Sequence, residues 1–128
     1  MMKTSRRLMI VDDSNVMRSK IARALASHAL EVVATASNGE EAVKFFANDK
    51  PDVVTMDLTM PRMDGIECIR KLKAMSPGVK ILVVSALADK ATAIQALKEG
   101  AQGFLCKPFT EEDLSEAITE LLEGGRHG

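Results

Sequence analysis

The apolar positions of the chain fall into five short runs separated by longer amphipathic stretches. Most of these runs are rich in valine and isoleucine and do not alternate with polar residues, which is typical of strands buried on both faces of a parallel sheet. The second run contains a charge and small residues, and these suit an edge strand. The five predicted strands are Leu8 to Val11, Glu31 to Ala36, Asp52 to Leu58, Lys80 to Val84, and Gly103 to Cys106.

The stretches that follow the runs repeat apolar residues at spacings of three and four, which predicts five helices. The stripes are Met17, Ile21, Ala24, Leu25 and His28; Ala42, Val43, Phe45 and Phe46; Ile66, Ile69, Leu72 and Lys73; Ile94 and Leu97; and Leu114, Ile118, Leu121 and Leu122. Residue types suited to helix ends agree with them. These are Ser14 or Asp13, Asn38 and Thr110 at the starts, and Gly100 and Gly124 at the ends. Five strand–helix units in succession predict an open parallel sheet with helices on both faces.

Composition narrows the class of protein. The 128 residues suit one domain, 1–128, and 17 basic against 18 acidic residues give a net charge of −1, which disfavours a nucleic-acid binder. All four aromatic residues are Phe, so base-stacking platforms and flavin clamps are poorly supplied. No apolar run approaches the roughly 20 residues of a membrane span. Cys68 and Cys106 form no CxxC pair, and we expect both to be buried free thiols in the cytoplasm.

Reactive side chains stand at the ends of four of the five predicted strands. Asp12 and Asp13 follow the first, Asp57 lies at the end of the third, Ser85 follows the fourth, and Lys107 follows the fifth. In open α/β sheets, sites form at this edge. Three carboxylates held close together require a compensating cation, and Mg²⁺ prefers such oxygen ligands. A lysine and a hydroxyl beside them suit a phosphoryl group, and a carboxylate can accept that group as an acyl phosphate.

Five segments in order carry a family resemblance that covers about the whole chain. They are Ile10 to Ser14, Val54 to Pro61, Met63 to Gly65, Val83 to Ala86, and Gly103 to Phe109. Together they resemble the receiver domain of two-component response regulators, of the single-domain chemotaxis (CheY-like) type. The resemblance implies a flavodoxin-like, doubly wound, five-stranded parallel sheet of order 2-1-3-4-5 with five helices. Strands one and three are then neighbours.

The resemblance also implies the roles of the acidic residues. Asp57 would accept a phosphoryl group from a phosphohistidine on a sensor histidine kinase. Asp13, Asp57 and the backbone carbonyl of Thr59 would hold Mg²⁺, and Asp12 would act largely through water bound to the metal.

Two further positions are implied to form the switch. Ser85 and Lys107 would contact the phosphoryl oxygens, and Ser85 would move toward them. The ring of Phe104, at the family's aromatic switch position, would turn inward and change the surface around the fourth helix, fifth strand and fifth helix. Many relatives have Tyr here, so a partner hydrogen bond from that hydroxyl would be missing.

Thr59 and Leu87 depart from the chemotaxis prototype, which has Asn at the first position and commonly an acidic residue at the second. In the family these positions tune how long the phosphoryl group lasts. Leu87 would screen water and Thr59 is a poor orienter of it, so we expect slower self-hydrolysis than in the prototype.

The function expected from this resemblance is a phosphorylation-switched signalling module. It is not an enzyme beyond accepting and losing the phosphoryl group. The expected partner is a flagellar motor switch protein, the alternative is a histidine phosphotransfer protein in a phosphorelay, and a phosphatase is a further candidate. We expect a cytoplasmic monomer with no output domain, acting on a separate protein and on neither nucleic acid nor membrane.

Two rival functions are weaker. An aspartyl phosphatase would need a second carboxylate two residues after the first, where this chain has Thr59. A flavodoxin-like electron carrier would need a phosphate-binding loop after the first strand, where Asp12 and Asp13 would repel the phosphate.

Overall fold

The computed structural model describes residues 6–60, 63–86 and 89–123. Strands and helices alternate strictly along the chain, as the apolar pattern predicts. The elements are β1 (Arg6–Val11), α1 (Asn15–Ala24), β2 (Leu30–Ala36), α2 (Gly39–Asp49), β3 (Val53–Met56), α3 (Gly65–Met75), β4 (Lys80–Ser85), α4 (Lys90–Lys98), β5 (Gly103–Cys106) and α5 (Glu111–Glu123).

The five strands form one parallel sheet in the order β2-β1-β3-β4-β5, which confirms the order implied by the family resemblance. β1 lies between β2 and β3. Its last residue, Val11, pairs with Ala36 on one side and with Met56 on the other. Asp12 and Asp57 therefore follow their strands at the same level of the sheet. The sequence order reverses between β1 and β3, and such a switch point is where open α/β sheets place their sites.

Two apolar layers cover the two faces of the sheet. In one layer, α2, α3 and α4 pack against the sheet through residues such as Phe46, Ile69 and Ala96. In the other layer, α1 and α5 pack against the opposite face through Ile21, Ile118 and their neighbours. β1, β3 and β4 end in four or more consecutive buried residues, because both of their faces are covered.

The predicted caps of the helices are present where the structure describes them. Ser14 Oγ accepts from the backbone N–H of Met17 at 3.1 Å, and Asn38 Oδ1 accepts from that of Glu41 at 2.9 Å. Thr110 and Asp113 each accept from the other's backbone N–H at 3.0 Å, which is a reciprocal cap at the start of α5. Gly100 follows α4 with a φ of +121°, a conformation that favours glycine. The predicted stop at Gly124 lies outside the described residues.

The stripe predicted for the first helix extends too far. α1 ends at Ala24, so Leu25 and His28 lie beyond it, although Leu25 remains buried. The chain turns there through Ala29, whose φ is +53°, and the carbonyl of Ala29 accepts from the N–H of Arg6 at 3.1 Å. The need to bring β2 alongside β1 therefore ends the helix earlier than the apolar spacing indicates.

The fourth helix is confirmed but its apolar stripe is exposed, and the burial predicted for Cys106 is wrong. Ile94 and Leu97, predicted as the apolar stripe of the fourth helix, are 46% and 49% exposed, because α4 packs on the molecule through Ala96 instead. Cys106 is exposed, whereas Cys68 is buried as expected. Cys106 ends β5, which lies at the edge of the sheet formed by the described strands. Among the described residues, no helix is both long and apolar enough to cross a bilayer.

Candidate functional site

The backbone pairing of β1 with its two neighbours, β2 and β3, places two buried carboxylates side by side. The N–H of Asp57 donates to the carbonyl of Val11, and the N–H of Asp12 donates to the carbonyl of Ala36, both at 3.0 Å. These bonds continue the ladder by one residue beyond each strand. Asp12 is 1% exposed and Asp57 is 3% exposed, so each carboxylate depends on the groups around it rather than on water.

Asp13 completes an acidic cluster at this edge. One carboxylate oxygen from each of Asp12, Asp13 and Asp57 lies within 4.8 Å of the others, and Asp13 is the exposed member. The cluster offers only oxygen ligands and opens to solvent on one side. Such a set fits Mg²⁺, which binds through a few carboxylates and keeps several of its waters.

Lys107 supplies the positive charge opposite the cluster. Its Nζ lies 2.8 Å from Asp12 Oδ2 and 3.8 Å from Asp57 Oδ2. Its backbone N–H donates to the carbonyl of Ser85 at 2.9 Å, which attaches the end of β5 to the end of β4. A cis peptide bond joins Lys107 to Pro108. The ammonium group is therefore a charge-assisted hydrogen-bond donor to Asp12 and a looser neighbour of Asp57.

Thr59 caps the free side of the Asp57 carboxylate. Its backbone N–H and its Oγ1 both donate to Asp57 Oδ1 at 3.3 Å. These two bonds are long, and the nearest approach of Lys107 to Asp57 is longer still. Among the described residues, the Asp57 carboxylate is therefore oriented by long hydrogen bonds and not held by a short one.

The surroundings of Asp57 disfavour its charged form. Burial is the main cause that raises the pKa of this carboxyl above its ordinary value of 3.8, and the negative charges of Asp12 and Asp13 raise it further. Lys107 and the N–H of Thr59 lower the pKa but do not offset burial. A cation bound to the cluster would compensate for the excess negative charge.

The structure places the other predicted residues as follows. Ser85 is fully buried at the end of β4, opposite Cys106 of β5. Phe104 pairs with Val83 in the sheet and is half-buried against the apolar layer that holds α4. Leu87 lies outside the described residues.

Two residues that support the site were missed by the sequence reasoning. Arg18 donates from Nη1 to the backbone carbonyl of Asp12 at 2.7 Å. No local sequence pattern predicts a contact of this kind between a side chain and the backbone. Gly65 is the first residue of α3. A Cβ on Gly65 would stand 2.6 Å from the carbonyl oxygen of Asp57, so the glycine allows α3 to approach the end of β3.

Comparisons with known proteins agree with this geometry. Residues 8–119 match the family model of the response regulator receiver domain. The chain is 42% identical over 117 residues to the chemotaxis protein CheY of Listeria monocytogenes, covering 91% of this chain and 98% of that protein. It is 40% identical over 116 residues to CheY of Thermotoga maritima, with 91% and 97% covered.

A solved structure shows the same architecture with 29% sequence identity. It is the complex of CheX and CheY with BeF₃ and Mg²⁺ from Borrelia burgdorferi, at a TM-score of 0.88, covering 91% of this chain and 89% of that one.

The fold and the site define a doubly wound α/β protein with a cluster of three carboxylates at the switch point of its sheet. More narrowly, the chain belongs to the response regulator receiver domain family, and it is similar to chemotaxis proteins CheY over nearly its whole length. Receiver domains bind Mg²⁺ through such a cluster, which here consists of Asp12, Asp13 and Asp57.

Proposed function

We propose that this protein is a single-domain, phosphorylation-activated switch that accepts a phosphoryl group on Asp57 from a sensor histidine kinase. The observation that carries the proposal is the Asp57 carboxylate, buried at the end of β3, beside two further carboxylates and 3.8 Å from the Lys107 ammonium. The module acts by changing its contacts with another protein. It is not an enzyme in the sense of turning over a separate substrate.

The transfer step needs little covalent chemistry from the protein. An oxygen of Asp57 attacks the phosphorus of the phosphohistidine, a P–O bond forms as the N–P bond breaks, and the histidine leaves with the bonding electron pair. Asp13, Asp57 and the Thr59 carbonyl would hold Mg²⁺, with Asp12 acting largely through water bound to the metal, and the ion would neutralise charge on the phosphoryl oxygens. Lys107 and Ser85 contact the same oxygens, and the two donors of Thr59 orient the acceptor.

After transfer, Ser85 and Phe104 carry the change to the surface. The phosphoryl group adds about −1.5 to −2 charge units at the edge of the sheet. Ser85 moves toward it and the Phe104 ring turns inward, so the surface formed by α4, β5 and α5 favours a different partner. A 100-fold change in partner affinity corresponds to about 2.7 kcal/mol of differential binding.

A thermal-shift measurement tests the acceptor assignment. Mg²⁺ with beryllium fluoride, a phosphoryl mimic, should raise the unfolding temperature, since a ligand that binds only the folded state stabilises it. Asp57→Asn should abolish that rise. Glu120→Gln, which removes an acidic group from an exposed position of α5, should keep it. A full response in Asp57→Asn would reject Asp57 as the acceptor. As an independent measurement on the wild type, mass spectrometry after incubation with a small phosphodonor should locate the added phosphoryl group on Asp57.

The partner we propose is a flagellar motor switch protein, with a histidine phosphotransfer protein of a phosphorelay as the alternative and a phosphatase as a further partner. The similarity to chemotaxis proteins CheY supports the first. The described chain contains no helix able to cross a membrane, and we propose that the protein works as a cytoplasmic monomer. A pull-down with the protein held in the Mg²⁺–beryllium fluoride state distinguishes the motor switch protein from the phosphotransfer protein as partner. Recovery of the motor switch protein supports the proposal, and recovery of the phosphotransfer protein alone overturns it.

We also propose that the acyl phosphate decays more slowly than in the chemotaxis prototype. The hydroxyl of Thr59 donates a hydrogen bond to Asp57 Oδ1 instead of orienting a water molecule, which supports slow hydrolysis of the acyl phosphate. Thr59→Asn and Leu87→Glu should each speed the loss of the phosphoryl group. Unchanged or slower decay in both variants would reject this proposal.

A further inference from the structure

Helix α1 carries two cationic side chains that reach past the helix to the backbone beside the site. Arg18 Nη1 donates to the carbonyl oxygen of Asp12 at 2.7 Å, while Nη2 donates to Asn15 Oδ1 at 2.9 Å. The guanidinium is thus fixed at two points, one on the loop that joins β1 to α1 and one on the first residue of the helix. Its planar fork suits this double contact.

The carbonyl of Asp12 belongs to the peptide unit that joins Asp12 to Asp13. The other polar groups of Asp12 are held by the sheet, by the turn and by Lys107: its N–H donates to Ala36, its Oδ1 accepts from the N–H of Ser14 at 2.9 Å, and its Oδ2 accepts from Lys107. Asp13 is exposed, and the shared peptide unit fixes the Cα from which its carboxylate projects. Arg18 therefore restrains, through one oxygen, the backbone that carries two of the three carboxylates.

Lys20 makes the corresponding contact on the other side of the site. Its Nζ donates to the carbonyl of Phe109 at 3.1 Å and lies 4.5 Å from the centre of the Phe109 ring. Phe109 is itself buried and stands two residues after Lys107. Residues two apart on a helix point to different sides, which is why Arg18 and Lys20 reach two different loops.

We propose that Arg18 and Lys20 are positioning residues for phosphoryl transfer. Arg18 sets the metal-binding carboxylates of Asp12 and Asp13, and Lys20 sets the loop that presents Lys107. The inference rests on the proposed function, because it assigns these two side chains to the same site. Neither is a catalytic residue: Arg18 acts through the backbone oxygen of Asp12 and Lys20 through that of Phe109.

The Arg18 arm is tested by Mg²⁺ affinity, measured by calorimetry without any phosphodonor. Arg18→Ala should weaken Mg²⁺ binding about tenfold, as is typical when a group that orients metal ligands is lost. Arg18→Lys should recover part of the affinity. Arg23→Ala is the matched control, since it removes an equal charge from an exposed position of α1. The loss of positive charge by itself would change the Mg²⁺ affinity in the opposite direction, because removing a cation near the cluster would tighten Mg²⁺ binding.

The Lys20 arm is tested by the rate of phosphorylation from a small phosphodonor at saturating Mg²⁺. Lys20→Met keeps most of the apolar stem and removes the donor, and it should slow phosphorylation about threefold to tenfold while Mg²⁺ affinity stays unchanged. Lys20→Arg should retain most of the rate. Lys44→Met, an exposed lysine on α2, should behave like the wild type.

The outcomes separate this inference from the proposed function. Equal Mg²⁺ affinity in Arg18→Ala and Arg23→Ala, or a wild-type rate in Lys20→Met, overturns the inference for that residue. A merely structural role would lower the unfolding temperature of Arg18→Ala without weakening Mg²⁺ binding by the folded protein, and that result also overturns it. If the wild type binds Mg²⁺ but takes no phosphoryl group on Asp57, the proposed function fails while the Arg18 measurement still decides its own arm.

Discussion

At the scale of single residues, the site stores an unfavourable charge. Burial raises the pKa of Asp57 above 3.8, and Asp12 adds to the effect. A carboxyl group whose pKa is higher in the folded state than in the unfolded state destabilises the fold once it ionises. The cost is absent below about pH 4, where the carboxyl is protonated in both states, grows as the pH rises above the unfolded pKa, and is complete above the raised pKa of the folded state. Mg²⁺ bound at the cluster would relieve the same cost.

The first prediction concerns the stability of Asp57→Asn without metal. The variant should unfold at a higher temperature than the wild type at pH 7.5, because it removes a buried charge, and the gap should narrow as the pH falls toward 3.8. Thermal unfolding followed by circular dichroism in the presence of a chelator measures both curves. A gap that widened on acidification would contradict the assigned direction of the Asp57 pKa shift.

A second prediction at this scale concerns Thr55. Its hydroxyl is buried in β3 and is without a hydrogen-bond partner among the described residues. Thr55→Val replaces an unsatisfied polar group with an apolar one of the same shape, so it should raise the free energy of unfolding by about 1 kcal/mol. Thr35→Val is a matched control: Thr35 flanks Ile10 from the other side but is exposed, and its change should stay within about 0.5 kcal/mol.

At the scale of elements, the start of α3 is packed directly against the end of β3. Asp64 caps the helix by accepting from the N–H of Glu67 at 2.9 Å, and Gly65 donates its N–H to the carbonyl of Leu58 at 3.1 Å. A Cβ at Gly65 would meet the carbonyl oxygen of Asp57 and the Cα of Leu58, each at 2.6 Å. Both obstacles are backbone atoms, so the helix or the strand end would have to shift.

The third prediction follows from that close approach. Gly65→Ala should destabilise the protein by about 1–3 kcal/mol, which is the usual cost of overpacking, and it should also reduce phosphorylation by displacing Asp57. Denaturant unfolding gives the first quantity and labelling by a phosphodonor gives the second. Gly78→Ala has open space around its new Cβ and should leave both within error. Similar behaviour of the two variants would show that the contact is not limiting.

At the scale of the whole molecule, the two faces of the sheet are covered unequally. α1 and α5 bury Ile21, Leu114 and Ile118 completely, whereas α4 buries Ala96 and leaves Ile94 and Leu97 about half exposed. An exposed apolar pair on α4 adds little to the stability of the isolated protein. We expect it to contribute to the surface that the partner recognises.

The fourth prediction separates these two contributions. Ile94→Ser and Leu97→Ser should each lower the free energy of unfolding by less than about 1 kcal/mol, yet weaken recovery of the partner by the phosphoryl-mimic form. Ile118→Ala, at a fully buried position, should cost about 2–5 kcal/mol. Unfolding curves and quantitative pull-downs provide the two readings. Undiminished partner recovery in both serine variants would exclude the α4 surface from the contact.

The sequence by itself determined the succession of strands and helices, most of their caps, and the residues that stand at the carboxyl edge of the sheet. These features depend on short-range patterns: runs of valine and isoleucine, helical spacing, and hydrogen bonds between residues two to four positions apart. Strand order came from the resemblance, since periodicity does not encode which strands pair. The acidic edge was predictable because a parallel sheet brings all its strand ends to the same side.

Only the tertiary structure decided which of these residues touch and which are buried. Lys107 meets Asp12 across 95 positions of sequence, and it lies closer to Asp12 than to Asp57. The packing of neighbouring elements also decides where α1 ends and that Ile94, Leu97 and Cys106 are exposed. It likewise brings Arg18 within hydrogen-bond distance of the Asp12 carbonyl. Local patterns record the preferences of each segment, whereas burial and long-range contacts depend on what the rest of the chain places against it.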